Sequence, residues 1–313
     1  MNERVEGNSI PFCQGPNPDP GTPIHSTPSE AWDCHAHIFG PVEQYPFTPN
    51  RSFTPPEASL AAYRRMLAAL GIAHAVIVQP SVYGTDNRCT LDAVAAAGGG
   101  WRGVAVVDPS VSEQELERLH AAGFRGVRVN VLFRGGLTLD ALERLAHTVA
   151  PLGWHLQLLL DGRDLVELAP RLRRLPVQIV IDHMGHMPAS AGVEHPGFQI
   201  LLQLVREGRC WAKLSGAYRL SGGPYYPYHD VVPFARALIE ADASHMVWGS
   251  DWPHPAVSGS IPKDAGLLDL LAVWAPDAEV RRRILTENPA QLYGFSAAEK
   301  GPTHRSTTSL AGG

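Results

Sequence analysis

Residues 103–131 read GVAVVDPSVSEQELERLHAAGFRGVRVNV. A short Val-rich run, Gly103–Val107, leads into an amphipathic segment, Ser112–Ala122, which stops at Gly123 before a second run, Gly126–Val131. Runs this short and apolar suit strands buried on both faces of a parallel sheet. The glycine after Ala122 is a helix stop of the left-handed C-cap type, and Leu70-Gly71 is another. Working outward, the same unit recurs. Further runs are Ala31–Ile38, His74–Gln79, Trp154–Leu160, Val177–Ile181, Cys210–Leu214 and His245–Gly249. Between and after them lie helical patterns at Glu57–Leu70, Arg88–Ala97, Leu139–Ala150, Arg163–Leu172, Phe198–Glu207, Asp230–Ala241 and Ala265–Trp274. Eight strands, each followed by a helix at a spacing of roughly 30 residues, predict a (β/α)8 barrel of the TIM type. A doubly wound open sheet is the alternative. Gly98-Gly99-Gly100 does not match the dinucleotide fingerprint after a strand, so that alternative brings no cofactor site with it.

Residues 1–30 carry six prolines and little hydrophobic periodicity, and are expected to form an irregular arm that wraps the domain or a partner subunit, or moves. Residues 31–295 show no break in composition and are expected to be a single barrel domain. Residues 296–313 are small and polar and are expected to fray. The 313 residues include 44% hydrophobic and 18% charged side chains at a net charge of -5, a balance that excludes a disordered chain and a membrane protein. No run approaches the ~18 uninterrupted apolar residues of a membrane span. No Lys/Arg cluster points to nucleic acid or an anionic membrane. Cys13, Cys34, Cys89 and Cys210 form no CxxC pair, and the N-terminus has no apolar signal region, so a reduced, cytoplasmic protein is expected. A homo-oligomer is compatible with all of this. Trp101, Trp154, Trp211 and Trp274 read as packing residues.

In such a barrel the active site lies at the C-terminal ends of the strands. The first run ends Asp33-Cys34-His35-Ala36-His37, and histidines at i and i+2 on a strand share a face. With 14 histidines in the chain, that pair alone is a weak signal. The sixth run ends with Asp182 and His183, and the eighth run is followed by Ser250-Asp251-Trp252-Pro253-His254. His35, His37, His183 and Asp251 together can hold one divalent ion, or can bind and polarise a carbonyl without one. Asp182 reads as an orienting or loop-capping carboxylate. His254 either lines the site or caps its loop, and Gly222–Tyr228 is a candidate lid or pocket wall.

DCHAHIFGP, VIVQPSVYGTDN, GVRVN, DHMG, KLSGAYRLS and VWGSDWPHP, in that order from about residue 31 to 295, resemble the amidohydrolase superfamily in its amidohydrolase 2 branch. The likeness is to the pyrone dicarboxylate hydrolases and related lactonases. It implies the barrel fold and places His35, His37, His183 and Asp251 in the site. It also implies Arg128, Arg134 and Arg219 on a substrate carboxylate, with Ser81 as a small polar contact. Two ligands of the metal-dependent members are missing. Strand four offers Arg128 and Asn130 rather than a lysine, and His155 lies at the wrong end of strand five. The resemblance therefore implies no binuclear centre, and either no cofactor or a single ion such as zinc. His186 stands where the dicarboxylate hydrolases carry arginine, and Phe53 and Leu159 stand where they carry tyrosine. Those changes point to a lactone with one carboxylate, or with a different second polar group, in a more apolar pocket. The expected activity is hydrolysis of an anionic lactone. The alternatives are a metal-dependent decarboxylase or a lactone isomerase of the same branch, and a binding protein that kept the barrel without the chemistry.

Overall fold

The computed structural model describes residues 10–130, 139–223, 226–257 and 259–294. Arg134, Val131 and the tail fall outside them. Eight strands, β1 (Trp32–Ala36), β2 (His74–Val78), β3 (Trp101–Ala105), β4 (Phe124–Asn130), β5 (His155–Leu159), β6 (Ile179–Ile181), β7 (Cys210–Leu214) and β8 (Met246–Trp248), form one parallel sheet in sequence order. The chain beyond β8 returns to β1: Asp251 N–H donates to His35 O at 2.8 Å and His37 N–H to Trp252 O at 2.7 Å. The sheet thus comes round on itself as a TIM-like barrel. Val76, Val78, Val104, Val180 and Val247 pack inside it, and the helices cover its outer face.

The helices follow the strands: α1 (Leu60–Leu70), α2 (Arg88–Ala95), α3 (Glu113–Ala121), α4 (Leu139–Val149), α5 (Leu165–Leu172), α6 (Pro196–Arg206), a single turn α7 (Ala217–Leu220), α8 (Val232–Asp242) and α9 (Asp264–Trp274). Ser59 and Ser112 cap the N-termini of α1 and α3, each accepting from the amide three residues on. Strand β3 starts two residues earlier than its apolar run, because Trp101 pairs with Ala75 and packs edge-on against Tyr63 of α1. Two helices have no counterpart in the apolar pattern, α10 (Ala278–Leu285) and α11 (Glu287–Leu292). α10 begins at an Asp277 cap, is rich in arginine and buries only Ile284 and Leu285, so its periodic signal is weak. Together they deliver Tyr293 to the N-terminal end of the barrel. There it stacks on Trp32 and meets the edge of His155.

His155 is therefore part of the barrel floor, remote from the strand ends that carry chemistry. Neither of its ring nitrogens has a hydrogen-bond partner among the described residues, and burial pushes its pKa down to about 3.

Part of the glycine content serves one backbone crossing. Gly162 after β5, Gly185 after β6 and Gly197 in the first turn of α6 approach one another. A Cβ on Gly162 would lie 2.8 Å from Gly185 O, and one on Gly197 would fall on Gly162 O. The crossing supports the loop that carries His183. Gly197→Ala is expected to destabilise the protein by about 1–3 kcal/mol, the usual cost of forcing atoms into a filled interior. A thermal melt reads this, and an unchanged Tm would show that the crossing can open freely.

Candidate active site

The β1 end supplies two histidines to the barrel interior through a bulge. The β1–β2 register shifts between Asp33 and Ala36, so Trp32 and Cys34 pack inward and Ala36 outward. A bulge re-aims the side chains that follow it, and His35 and His37 both meet the carboxylate of Asp251, carried by the segment after the neighbouring β8. His35 Nε2 and His37 Nε2 are 3.3 Å apart, and each is 3.8 Å from Asp251 Oδ1. His183 Nε2, from the loop after β6, lies 3.9 Å from the same oxygen. The four residues named from three separate strand ends thus converge on one point.

Each is held from behind. His37 Nδ1 is 2.7 Å from Val78 O and His183 Nδ1 is 2.9 Å from Ser215 Oγ. Asp251 Oδ2 accepts from Tyr218 Oη and Arg219 Nε, both at 2.6 Å, while Oδ1 has no hydrogen-bond partner among the described residues. Arg219 is no solvated loop residue: it is clamped between Asp251 and Pro255 O. His254 sits one layer back, between Tyr218 Oη and Asp264 Oδ1, and so settles as a support. Asp182 accepts from Arg128 Nε and Gln157 Nε2, both at 3.2 Å.

The backbone around these groups is unusual. His183, Met184 and His186 after β6, and Asp251, His254 and Ala256 after β8, all have φ between 49° and 64°. Left-handed non-glycine residues cost about 1–3 kcal/mol each and gather where function demands a particular side-chain direction.

Burial lowers the pKa of His35, His37 and His183, the last two well below the ordinary imidazole value, so the cluster is neutral at neutral pH. Burial pulls Asp251 upward, but Arg219 and the neighbouring imidazoles outweigh it and hold the carboxyl well below its usual range. Lys213 of β7 lies beneath the histidines, fully buried, and desolvation brings it down to about 8. Three cations, Arg128, Lys213 and Arg219, lie among the buried carboxylates Asp182, Asp251, Asp33 and Asp264, so the charges of the interior are paired by opposite charges close by.

A narrow cleft opens over this centre. His37, His183 and Asp251 line its inner part, and Arg128, Arg219 and Ser81 add polar groups. Phe53, Leu159 and His186, the three departures noted in the sequence, all border it, together with Asn130. Tyr226 and Tyr228 do not: Tyr228 packs near Tyr218, and Tyr226 lies against Gly266.

The sequence reading missed Lys213, Gln157 and Tyr218. A lone lysine in CWAKL and a lone glutamine in HLQLLL, on strands otherwise apolar, were the available signals. A polar side chain inside a barrel persists only when partnered.

The N-terminal arm borders the cleft from outside. Thr54 N–H donates to Pro11 O and Cys13 N–H to Thr54 O, which ties the arm to the loop carrying Phe53. Ala256 N–H donates to Cys13 Sγ, and Gln14 Nε2 to Gly259 O, which ties it to the loop after β8. Removing residues 1–14 is expected to raise KM about tenfold with a smaller effect on kcat, because the substrate-facing walls lose a shared brace. Steady-state kinetics check this, and an unchanged KM would show that the walls stand alone.

The donor atoms of His35, His37 and Asp251 lie within 4.8 Å of one another, as do those of His35, Asp182 and His183, a spacing that could hold a metal ion. The residue types suit zinc. The 3.3 Å between the two Nε2 atoms fits either one shared hydrogen bond or two ligands on one ion, while the Lys213 ammonium, 3.3 Å from His35 Nδ1, stands where a ligating histidine normally donates its other N–H.

A (β/α)8 barrel with a histidine–aspartate cluster at its strand ends is the architecture of the barrel hydrolases. The chain belongs to the Amidohydrolase family, whose model matches residues 32–295. It is 40% identical over 285 residues to a 2-pyrone-4,6-dicarboxylate hydrolase of Comamonas testosteroni, covering 88% of this chain and 93% of the relative. It is 35% identical over 289 residues to a 4-sulfomuconolactone hydrolase of Hydrogenophaga intermedia, covering 91% and 95%. Among solved structures, a probable 2-pyrone-4,6-dicarboxylic acid hydrolase of Acinetobacter baumannii with citric acid bound superposes with a TM-score of 0.76 at 31% identity, covering 85% of this chain and all of that one. These relatives are carboxylic ester hydrolases, and this chain is an enzyme of the same kind. Among the described residues no helix is long and apolar enough to cross a membrane.

Proposed function

We propose that the protein opens a lactone that carries a carboxylate, using Asp251 to activate water. The observation that carries this reading is Asp251 Oδ1. It has no hydrogen-bond partner among the described residues, lies 3.8–3.9 Å from three imidazole nitrogens, and faces a cleft lined by arginine. The acyl oxygen enters the cluster of His35, His37 and His183, where the N–H groups of His35 and His183 polarise it and His37, whose Nδ1 proton goes to Val78 O, packs beside it. Asp251 Oδ1 takes a proton from water and the hydroxide adds to the acyl carbon. The ring C–O bond then breaks, and Asp251 returns the proton to the leaving enol or alcohol oxygen. Arg128 and Arg219 receive the carboxylate, for which the guanidinium fork is suited. Arg134, six residues after Arg128 in the chain, is proposed as a further contact on the same grounds of resemblance.

Phe53, Leu159 and His186 refine the substrate. Two hydroxyl donors and one fixed cation of the dicarboxylate pattern are replaced by two apolar walls and a mostly neutral imidazole. This favours a lactone with one carboxylate, whose second polar group is met by His186 rather than by a second arginine pair. A panel of pyrone carboxylates, muconolactones and sugar-acid lactones, with NMR of the products and with and without chelator, tests the reading. Opening of a carboxylated lactone to the acid is expected. An isomeric ring as product, or loss of carbon dioxide, would replace hydrolysis with one of the alternatives.

A further inference from the structure

Lys213 is the group that the mechanism leaves unused. Its Nζ donates to Cys34 O and to Gln157 Oε1, both at 2.8 Å, and lies 3.3 Å from His35 Nδ1. These three acceptors account for the three protons of an ammonium. On the other side of the ring, His35 Nε2 faces His37 Nε2 at 3.3 Å. His37 spends its Nδ1 proton on Val78 O at 2.7 Å, so its Nε2 is bare and can only accept. The proton between the two rings must then be the one on His35 Nε2. Asp182 Oδ1 is also close to His35 Nδ1, at 3.2 Å, yet it has no hydrogen-bond partner among the described residues. Both sides of the ring therefore call for the same tautomer.

We propose that Lys213 is a positioning residue that fixes His35 as its Nε2–H tautomer. The centre thereby becomes a hydrogen-bond donor to the lactone carbonyl, and a divalent ion is denied one of its ligand lone pairs. The nitrogen that would ligate an ion is the one this arrangement protonates. A histidine that ligates through one nitrogen normally donates its other N–H to a carboxylate or carbonyl. Here a cation, 3.3 Å from Nδ1, shares that second position with Asp182 Oδ1 at 3.2 Å. Lys213 decides between the two uses of one set of side chains, because taking it away frees Nδ1 to donate to Asp182 and leaves Nε2 bare. The carbonyl-donor part of this proposal rests on the lactonase reading. The tautomer and the ion preference do not.

The test reads the ring directly. A long-range 1H–15N NMR spectrum of the wild-type protein, with His35 assigned by the signal lost in His35→Gln, is expected to show Nε2 protonated and Nδ1 bare. In Lys213→Met the tautomer is expected to reverse. Zinc affinity, measured by competition with a chromophoric chelator, is expected to rise by about 10–100-fold, the usual weight of a residue behind a ligand. A wild-type His35 protonated at Nδ1 would overturn the proposal. So would a Lys213→Met protein with unchanged tautomer and zinc affinity. Should that variant fail to fold, the wild-type spectrum decides alone. Neither readout needs turnover, so a chain that opens no lactone would overturn the functional reading while leaving the tautomer result intact.

Discussion

Asp251→Asn is expected to lower kcat on a carboxylated lactone by about 10²–10⁴-fold, the range that general acid–base groups supply. The substitution is unusually clean at this position. Asp251 has φ 64°, a conformation that asparagine tolerates better than almost any other side chain. The amide oxygen can still accept from Tyr218 Oη and Arg219 Nε, as Oδ2 does now. The NH2 group then takes the place of Oδ1 among the imidazoles, where it can neither accept a proton from water nor hold one for the leaving group. A folded protein with a cooperative melt and almost no turnover is the expected result. A kcat within tenfold of wild type would remove Asp251 from the base role and would point to one of the histidines.

Arg128→Met is expected to cost about 10²–10³-fold in kcat/KM, in keeping with the 2–5 kcal/mol lost when a buried charge loses its partner. Arg128 has two tasks. Its Nε holds Asp182 at 3.2 Å, and its guanidinium also borders the cleft. Substrate chemistry separates them. If the guanidinium receives the substrate carboxylate, the loss falls on the free acid and largely spares the methyl ester of the same lactone. Equal losses on acid and ester would mean that Arg128 acts only by holding Asp182. Arg128→Lys keeps the charge without the fork and is expected to recover only part of the activity.

Much of the architecture was legible because a parallel barrel writes itself as short apolar runs at even spacing. Each strand end leaves polar residues where the interior stops. His35, His37, His183 and Asp251 stood out for that reason, and the motifs around them carried the family. α10 and α11 were not legible, since helices that close a barrel floor mostly through Tyr293 need no broad apolar stripe. The supports of the site were also hidden. Tyr218 looks like any aromatic beside a loop arginine, and its bond to Asp251 spans 33 residues of chain.

The sequence by itself determined the strand–helix rhythm, the residue types at the strand ends and the three departures at positions 53, 159 and 186. Those are local or periodic properties that each segment carries alone. Only the tertiary structure decided which groups flank each nitrogen of His35, that Arg219 is clamped to Asp251, and that residues 11–14 brace two walls of the cleft. Those depend on distances between groups far apart in the chain, such as Lys213 and His35, and no spacing along the chain encodes them.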